Sequence, residues 1–161
     1  MDVYEYAIKN KLKGRSSINC PKFRDFFKTI KIKTVVEIGT FKGISAAYMA
    51  QFARKIFTFD IMDYPEKYKV WYDLRINNRI FYYTIKSRKD IKTILNKIKF
   101  DFAFIDAKHT YKDAKADFEL VKHCGKVLFH DIHKKAFKGV RKFVVDELGA
   151  KDEGTIAYWT K

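Results

Sequence analysis

Four acids end or adjoin apolar stretches in this chain. Glu37 lies in Thr34–Ile38, Asp60 closes Lys55-Ile-Phe-Thr-Phe, Asp106 follows Phe100–Ile105, and Asp131 follows Val127–His130. His109 stands three residues after Asp106, and His130 and His133 flank Asp131. Carboxylates withdrawn from water are costly unless they are paired or bound to something. If these acids converge, the ligand that satisfies them donates hydroxyls, carries positive charge, or is a metal ion. A neutral imidazole such as His109 beside them could take a proton near pH 7. Alternatively, His109 only orients Asp106 at a helix entrance, and His130 and His133 are ligands or orienters of Asp131.

The elements that must position these groups follow from periodicity. Residues 34–50 read as a short apolar strand, a turn from Gly39 to Gly43, and a helix with Ile44, Ala47, Tyr48 and Phe52 on one face. Glycines at both ends of the turn would let backbone approach a ligand, and free amides point out of a helix start. Before it come two helices: Tyr4, Ala7, Ile8 and Leu12 in the first, and Phe23, Phe26, Phe27 and Ile30 in a second begun by Pro21. Gly14-Arg-Ser-Ser separates them. After it, strands at 55–60, 80–85, 100–105 and 127–131 alternate with helices at 66–76, around Ile91–Ile98 and Tyr111–Val121, and around Val140–Leu148. Thr155–Trp159 makes a closing strand.

That alternation predicts an α/β fold: a Rossmann-like, doubly wound, mostly parallel sheet with helices on both faces. Six or seven strands fit, because Ala150–Asp152 leaves little room for the first arm of a terminal hairpin; the last strand is expected to be antiparallel. The expected organisation is one domain over 1–161, with N-terminal helices over 1–30 and a ligand-binding core over 31–161. In such a sheet the four acids share the rim where ligands bind.

The turn is neither G-x-G-x-x-G nor G-x-x-x-x-G-K-[ST]. Glu37-Ile-Gly-Thr-x-x-Gly43-x-Ser45 resembles motif I of class I S-adenosylmethionine-dependent methyltransferases. A second resemblance is more specific. Phe100, Asp101, Phe104, Ile105, Asp106, His109, Tyr111 and Asp117, then His130-Asp131, match the pattern of the methyltransferase domain 24 group, which is related to catechol-type O-methyltransferases. Together the two cover roughly residues 21–148. The resemblance implies S-adenosylmethionine as cofactor. Glu37, Gly39, Thr40, Phe41, Gly43 and Ser45 would lie around its methionine end, and Asp60 would accept from the ribose diol. Ile61 and Met62 would flank adenine, Ser87 and Arg88 would meet its edge, and Asp106 would close the site. It also implies a catalytic pair, His109 and Asp106, and a Mg²⁺ held by Asp106 and Asp131. Where catechol-type enzymes follow the second acid with Asn, this chain has Ile132, so a metal-free mechanism stays open.

The acceptor is narrowed by exclusion. Amino-methylation of bases uses a D/N-P-P-Y/F loop, and the prolines here are Pro21 and Pro65 alone. Cytosine C5 methylation needs a Pro-Cys nucleophile, and the order here is Cys20-Pro21. A hydroxyl of a small molecule or sugar is the expected acceptor. An RNA ribose 2′-hydroxyl, served by Asp106 with Lys134 or Lys138, is one alternative; a non-catalytic cofactor-binding domain is another. The charge, 34 Lys and Arg against 19 Asp and Glu for a net +15, permits a nucleic-acid partner, although its clusters at 9–15, 86–99 and 134–142 are modest. No apolar run spans a bilayer and no signal peptide is visible. Cys20 and Cys124 match no metal or redox spacing. A cytoplasmic location without membrane association is therefore expected; oligomeric state is not legible.

Overall fold

The computed structural model describes residues 2–12, 14, 16–133 and 135–161. Lys13, Arg15 and Lys134, which belong to the basic clusters, lie outside the described residues, and with Lys134 goes one lysine of the ribose-methylation reading.

A seven-stranded sheet runs in the order β3-β2-β1-β4-β5-β7-β6. Its strands are β1 (Thr34–Ile38), β2 (Lys55–Asp60), β3 (Ile80–Thr84), β4 (Phe102–Ile105), β5 (Lys126–His130), β6 (Lys151–Asp152) and β7 (Ile156–Thr160). The first five are parallel; β7 runs antiparallel to β5 and to the two-residue β6. The sheet is therefore seven-stranded, the larger of the two expected counts, with β6 as a short exposed edge.

Central β1 is buried on both faces, which is why it reads as an apolar run interrupted only by Glu37 after Thr34. Alternate residues serve opposite cores. Val35, Phe102 and Phe104 face α1 (Val3–Lys9), α2 (Pro21–Thr29), α3 (Ile44–Met49) and α4 (Glu66–Asp73). Val36, Ile38, Ala103 and Ile105 face α5 (Arg88–Leu95), α6 (Tyr111–Val121) and α7 (Lys138–Arg141), which continues as a π-helical segment, Lys142–Glu147. The Phe stripe on α2 is core: Phe23 and Phe27 are fully buried, with Phe23 4.9 Å from Phe27 and 5.0 Å from Phe104 between ring centroids. Truncating either to Ala would cost about 3–5 kcal/mol.

Element ends differ from the periodic expectation where the backbone turns without a sequence signal. Helix α4 stops at Asp73 rather than running to Ile76, because Arg75 takes a left-handed φ of 56° and the Ile76 amide donates back to the Trp71 carbonyl at 3.0 Å. Helix α3 stops before Phe52, and all six of its residues are buried.

Strands β1 and β4 are neighbours whose chains leave in opposite directions across the sheet, to β2 and to β5. This is the switch point of a doubly wound sheet, and a crevice opens at its C-terminal rim. The ladder persists past the strand ends: the Gly39 amide donates to Phe59 O and the Asp106 amide to Ile38 O, each at 2.9 Å.

Candidate active site

The turn after β1 is fixed by two acids from different directions. Asp60, at the end of β2, accepts at Oδ2 from the amides of Thr40 (2.9 Å) and Phe41 (2.7 Å), and at Oδ1 from the Met62 amide (3.1 Å). Glu37 lies beneath the turn, fully buried, and accepts at 2.5 Å from the hydroxyls of both Ser45 and Thr58. Thr58 in turn bonds Thr40 Oγ1 at 2.6 Å. Burial pushes the Glu37 carboxyl up to about 8; the two hydroxyls pull the other way, and Asp106 and Asp60 add to the rise. Glu37 lines neither cavity described below, so it meets the turn rather than open space.

The two glycines have separate reasons. At Gly39, with φ of 103°, a Cβ would stand 2.3 Å from the Asp106 carbonyl oxygen, so glycine is what lets β1 and β4 exit side by side. At Gly43 (φ 70°) a Cβ would stand 2.7 Å from Lys67 Cβ and from the Trp71 ring, and Trp71 Nε1 donates to Gly43 O at 2.9 Å. Gly43 borders neither cavity: it makes room for α4, whereas the sequence suggested room for a ligand.

Two cavities open on this rim and meet at Gly39, Phe41 and Asp106. The smaller, about 410 Å³, holds Asp60, Ile61, Met62, Ser87 and Arg88, with Tyr64 and Ile91. Ile61 and Met62 are 58% and 55% exposed, so they present apolar surface to whatever enters. Tyr64 packs edge-on against Phe41 at 4.8 Å. Ser87 and Arg88 are already engaged. Ser87 caps α5 in a capping box with Asp90, whose Oδ2 accepts from the Lys86 and Ser87 amides at 2.9 Å each. Arg88 bridges to α6, donating from Nε to Asp117 and from Nη2 to Asp113, both at 2.7 Å. The Asp117 of the matched sequence pattern is thus a buried partner for Arg88.

The larger cavity, about 1070 Å³, lies between the turn, the segment before α2 and the loops after β4 and β5. Thr40 and Ser45 line it, and at its floor Asp106, His109, His130 and Asp131 come together. His109 Nε2 stands 3.2 Å from Asp106 Oδ1 and 3.3 Å from Asp131 Oδ2. His130 Nδ1 stands 3.3 Å from Asp106 Oδ1 and 3.1 Å from Asp131 Oδ1. Asp131 adopts a left-handed φ of 60°, uncommon for a residue with a side chain, immediately after β5. Burial acts to raise the Asp106 carboxyl, but His109 and His130 outweigh it and hold Asp106 far below the usual carboxylate range. Burial likewise disfavours charge on His130, yet Asp106, Cys20 and the charge of Asp131 raise it to about 10. One donor atom each from Asp106, His109 and Asp131 lies within 4.8 Å of the others, a set that could hold a divalent cation.

Periodicity and spacing missed three residues here. Phe137 stacks on His109, with centroids 4.1 Å apart and rings 19° from parallel. Cys20 and Thr155 hydrogen-bond each other at the cavity wall. Cys20 and Phe137 reach the site from segments between the periodic elements, and Thr155 from the position just before β7, which the sequence reads as the start of the closing strand. His133 turns outward to Asp152 (2.9 Å) and its Arg141 partner, away from Asp131. Lys138 is exposed and borders neither cavity.

Comparison with known proteins gives a family and a fold. A family model described as a methyltransferase domain matches residues 36–132, which include the turn and the Asp106, His109, His130 and Asp131 cluster. A search of curated proteins finds no match. Among solved structures, an O-methyltransferase from Bacillus cereus in complex with SAH superimposes with a TM-score of 0.70 at 17% identity, covering 99% of this chain and 89% of that one. An O-methyltransferase from Streptomyces achromogenes involved in tomaymycin synthesis, in complex with SAM, gives 0.69 at 14%, covering 99% and 87%. A SAH-bound methyltransferase from Podospora anserina gives 0.69 at 15%, covering 99% and 86%. At these identities the likeness is one of fold.

Proposed function

The chain belongs to the methyltransferase domain 24 family, and from that premise we propose that it is an S-adenosylmethionine-dependent O-methyltransferase acting on a hydroxyl of a small molecule or sugar. One observation carries the reading. Two cavities meet at Gly39, Phe41 and Asp106, with the Asp60 carboxylate in one and an acid–imidazole cluster in the other.

The smaller cavity takes the adenosine. Asp60 spends its Oδ2 on the turn and keeps Oδ1, with one longer bond to the Met62 amide, for the ribose hydroxyls. Ile61 and Met62 supply apolar contact for adenine. The methionine end lies over the turn that Glu37 braces, with the reacting sulfonium near Gly39 and Asp106.

The acceptor enters the larger cavity. Its hydroxyl oxygen attacks the methyl carbon, the carbon–sulfur bond breaks, and the sulfonium becomes a neutral thioether. The hydroxyl proton goes to the His109 imidazole when no ion occupies the cluster, and the carboxylates 3.2 and 3.3 Å from its Nε2 stabilise the imidazolium that forms. Phe137 fixes the ring plane. The donor set also fits a divalent ion, because three donor atoms lie within 4.8 Å of one another on two carboxylates and an imidazole. Asp106 and Asp131 would hold it, and it would supply Lewis acidity that lowers the pKa of the acceptor hydroxyl.

The test is release of S-adenosylhomocysteine from S-adenosylmethionine with a panel of catechols, hydroxylated sugars and a short RNA. Turnover with a small hydroxylated acceptor is expected. His109→Ala should lower kcat by about 10²-fold or more, with S-adenosylhomocysteine affinity within about threefold of wild type. Transfer to RNA alone would reassign the acceptor to a ribose 2′-hydroxyl. Cofactor binding without turnover on any acceptor would make the chain a binding domain and end the catalytic reading.

A further inference from the structure

We propose that His109 Nε2 is the third protein ligand of a cation held between Asp106 and Asp131, and that this nitrogen makes the site one for borderline cations such as Co²⁺, Fe²⁺ or Zn²⁺ rather than for Mg²⁺. The inference shares with the reading above only the placing of an ion at the acceptor end; it needs no methyl transfer.

The two edges that meet at His109 Nε2 match those of one face of a coordination sphere. Ligand atoms at about 2.1 Å in adjacent positions of such a sphere stand roughly 3 Å from each other. His109 Nε2 is 3.2 Å from Asp106 Oδ1 and 3.3 Å from Asp131 Oδ2, and the whole three-atom set lies within 4.8 Å. All three residues line the larger cavity, so the face opposite the protein ligands opens toward the space for an acceptor.

Each ligand is also held from behind. Phe137 stacks on the His109 ring at 4.1 Å, which fixes its plane. The two oxygens of Asp131 are divided, with Oδ1 toward His130 and Oδ2 toward His109. The left-handed backbone at Asp131 is sterically unfavourable for a side-chain-bearing residue; strain of this kind recurs at ligand clamps. Packing against Phe137 and the His130 ring beside both carboxylates thus preset the donor atoms, which is how outer contacts raise metal affinity.

The donor chemistry then selects the ion. Mg²⁺ takes oxygen ligands and sheds water reluctantly, whereas an imidazole suits the later divalent metals. The residue that follows the second acid, Ile132, is buried and offers no oxygen from its side chain, so the third side-chain ligand comes from His109 on the preceding loop.

The experiment uses untagged, metal-stripped protein titrated with Co²⁺ alone and with Mg²⁺ alone, in wild type, His109→Ala and Asp131→Asn. Visible absorption gives Co²⁺ affinity, paramagnetically shifted proton resonances report a cobalt-bound histidine, and calorimetry gives Mg²⁺ affinity. Wild type should bind Co²⁺ with a shifted histidine resonance. In His109→Ala that resonance should vanish and Co²⁺ affinity should fall by about tenfold or more, with Mg²⁺ affinity within about threefold. Asp131→Asn should weaken both. S-adenosylhomocysteine binding by each variant checks that the fold is intact. An unchanged cobalt spectrum in His109→Ala, equal losses of Co²⁺ and Mg²⁺ affinity in that variant, or no cation binding by wild type would overturn the proposal. Methyl transfer measured on the same preparations stands or falls separately.

Discussion

In the proposed function Asp60 both meets the cofactor ribose and holds the turn, so Asp60→Ala separates that function from its alternatives most sharply. An ionised carboxylate has about four acceptor sites. Three are occupied by the amides of Thr40, Phe41 and Met62, at 2.9, 2.7 and 3.1 Å. A vicinal diol brings two donors, so one hydroxyl takes the vacant site and the other competes with the longest bond, that from Met62. Hydrogen bonds to a charged group contribute about 1.5–3 kcal/mol each. Losing one full bond and part of a second amounts to about 3–4 kcal/mol, or roughly 10²- to 10³-fold in affinity.

The variant also frees the Thr40 and Phe41 amides, which water can reach in part because Asp60 is only half-buried. Asp60→Asn controls for this, since its amide oxygen still accepts from the turn while its NH₂ opposes the diol. Calorimetry with S-adenosylhomocysteine at pH 7 should show an affinity loss of that order in Asp60→Ala and a smaller loss in Asp60→Asn, both variants unfolding cooperatively. An Asp60→Ala affinity within about threefold of wild type would refute the placement of the ribose, and with it the division of the two cavities.

Three further outcomes follow from the same rim. Glu37 is raised to about 8 when folded, so the native state holds its proton more tightly than the unfolded chain. Its contribution to stability is fully present below the unfolded pKa near 4.5 and is lost as pH rises through about 8. Denaturant titrations from pH 5 to 9 should therefore show a downward slope that Glu37→Gln flattens; an identical slope in the variant would contradict the burial argument. Gly39→Ala should destabilise by about 2 kcal/mol or more, because a Cβ 2.3 Å from the Asp106 carbonyl cannot be relieved by rotating a side chain; an unshifted denaturation midpoint would refute the steric claim. At Cys20, burial raises the thiol, but hydrogen bonds from His130 and Thr155 outweigh it and lower the thiol to about 7, while burial pushes Cys124 up. Alkylation followed by peptide mass spectrometry should label Cys20 first, with a rate midpoint near pH 7 that moves upward in His130→Ala.

Much of the fold was legible because a strand buried on both faces must be apolar throughout. Phe102–Ile105 satisfies that demand, Thr34–Ile38 does so except at Thr34 and Glu37, and helices between them carry stripes for the two cores. Legibility stopped where pairing or backbone geometry alone makes the element. Strand β6 is two exposed residues defined only by partners in β7. Helix α4 ends at a left-handed arginine, a conformation no residue type at that position announces. The α7 region winds as a π-helix after Arg141, which no residue type announces, although Leu148 still packs on the core that holds Val140, Phe143 and Val144.

At the site, the sequence could place the acids on one rim but could not say what each would face. Parallel neighbours at a switch point force residues just past β1, β2, β4 and β5 to the same end of the sheet, so convergence follows from topology. Orientation does not, because it depends on the segment that folds back over each acid. Glu37 and Asp60 both meet the turn, one from below and one from the side. Asp106 and Asp131 instead share two histidines, one in the loop after β4 and one ending β5. The Ser87-Arg-Lys-Asp90 string did carry a capping signal, which explains why Ser87 is spent on α5. Arg88 had no such signal, since its partners Asp113 and Asp117 lie on the next helix. A charged residue that borders a cavity is therefore a ligand contact only when no neighbouring element has already claimed it. In the proposed reading the chemistry falls to Asp60 Oδ1, which holds only the longer bond from the Met62 amide, and to the cluster of Asp106, His109 and Asp131, while the Arg88 guanidinium is committed to holding α5 against α6.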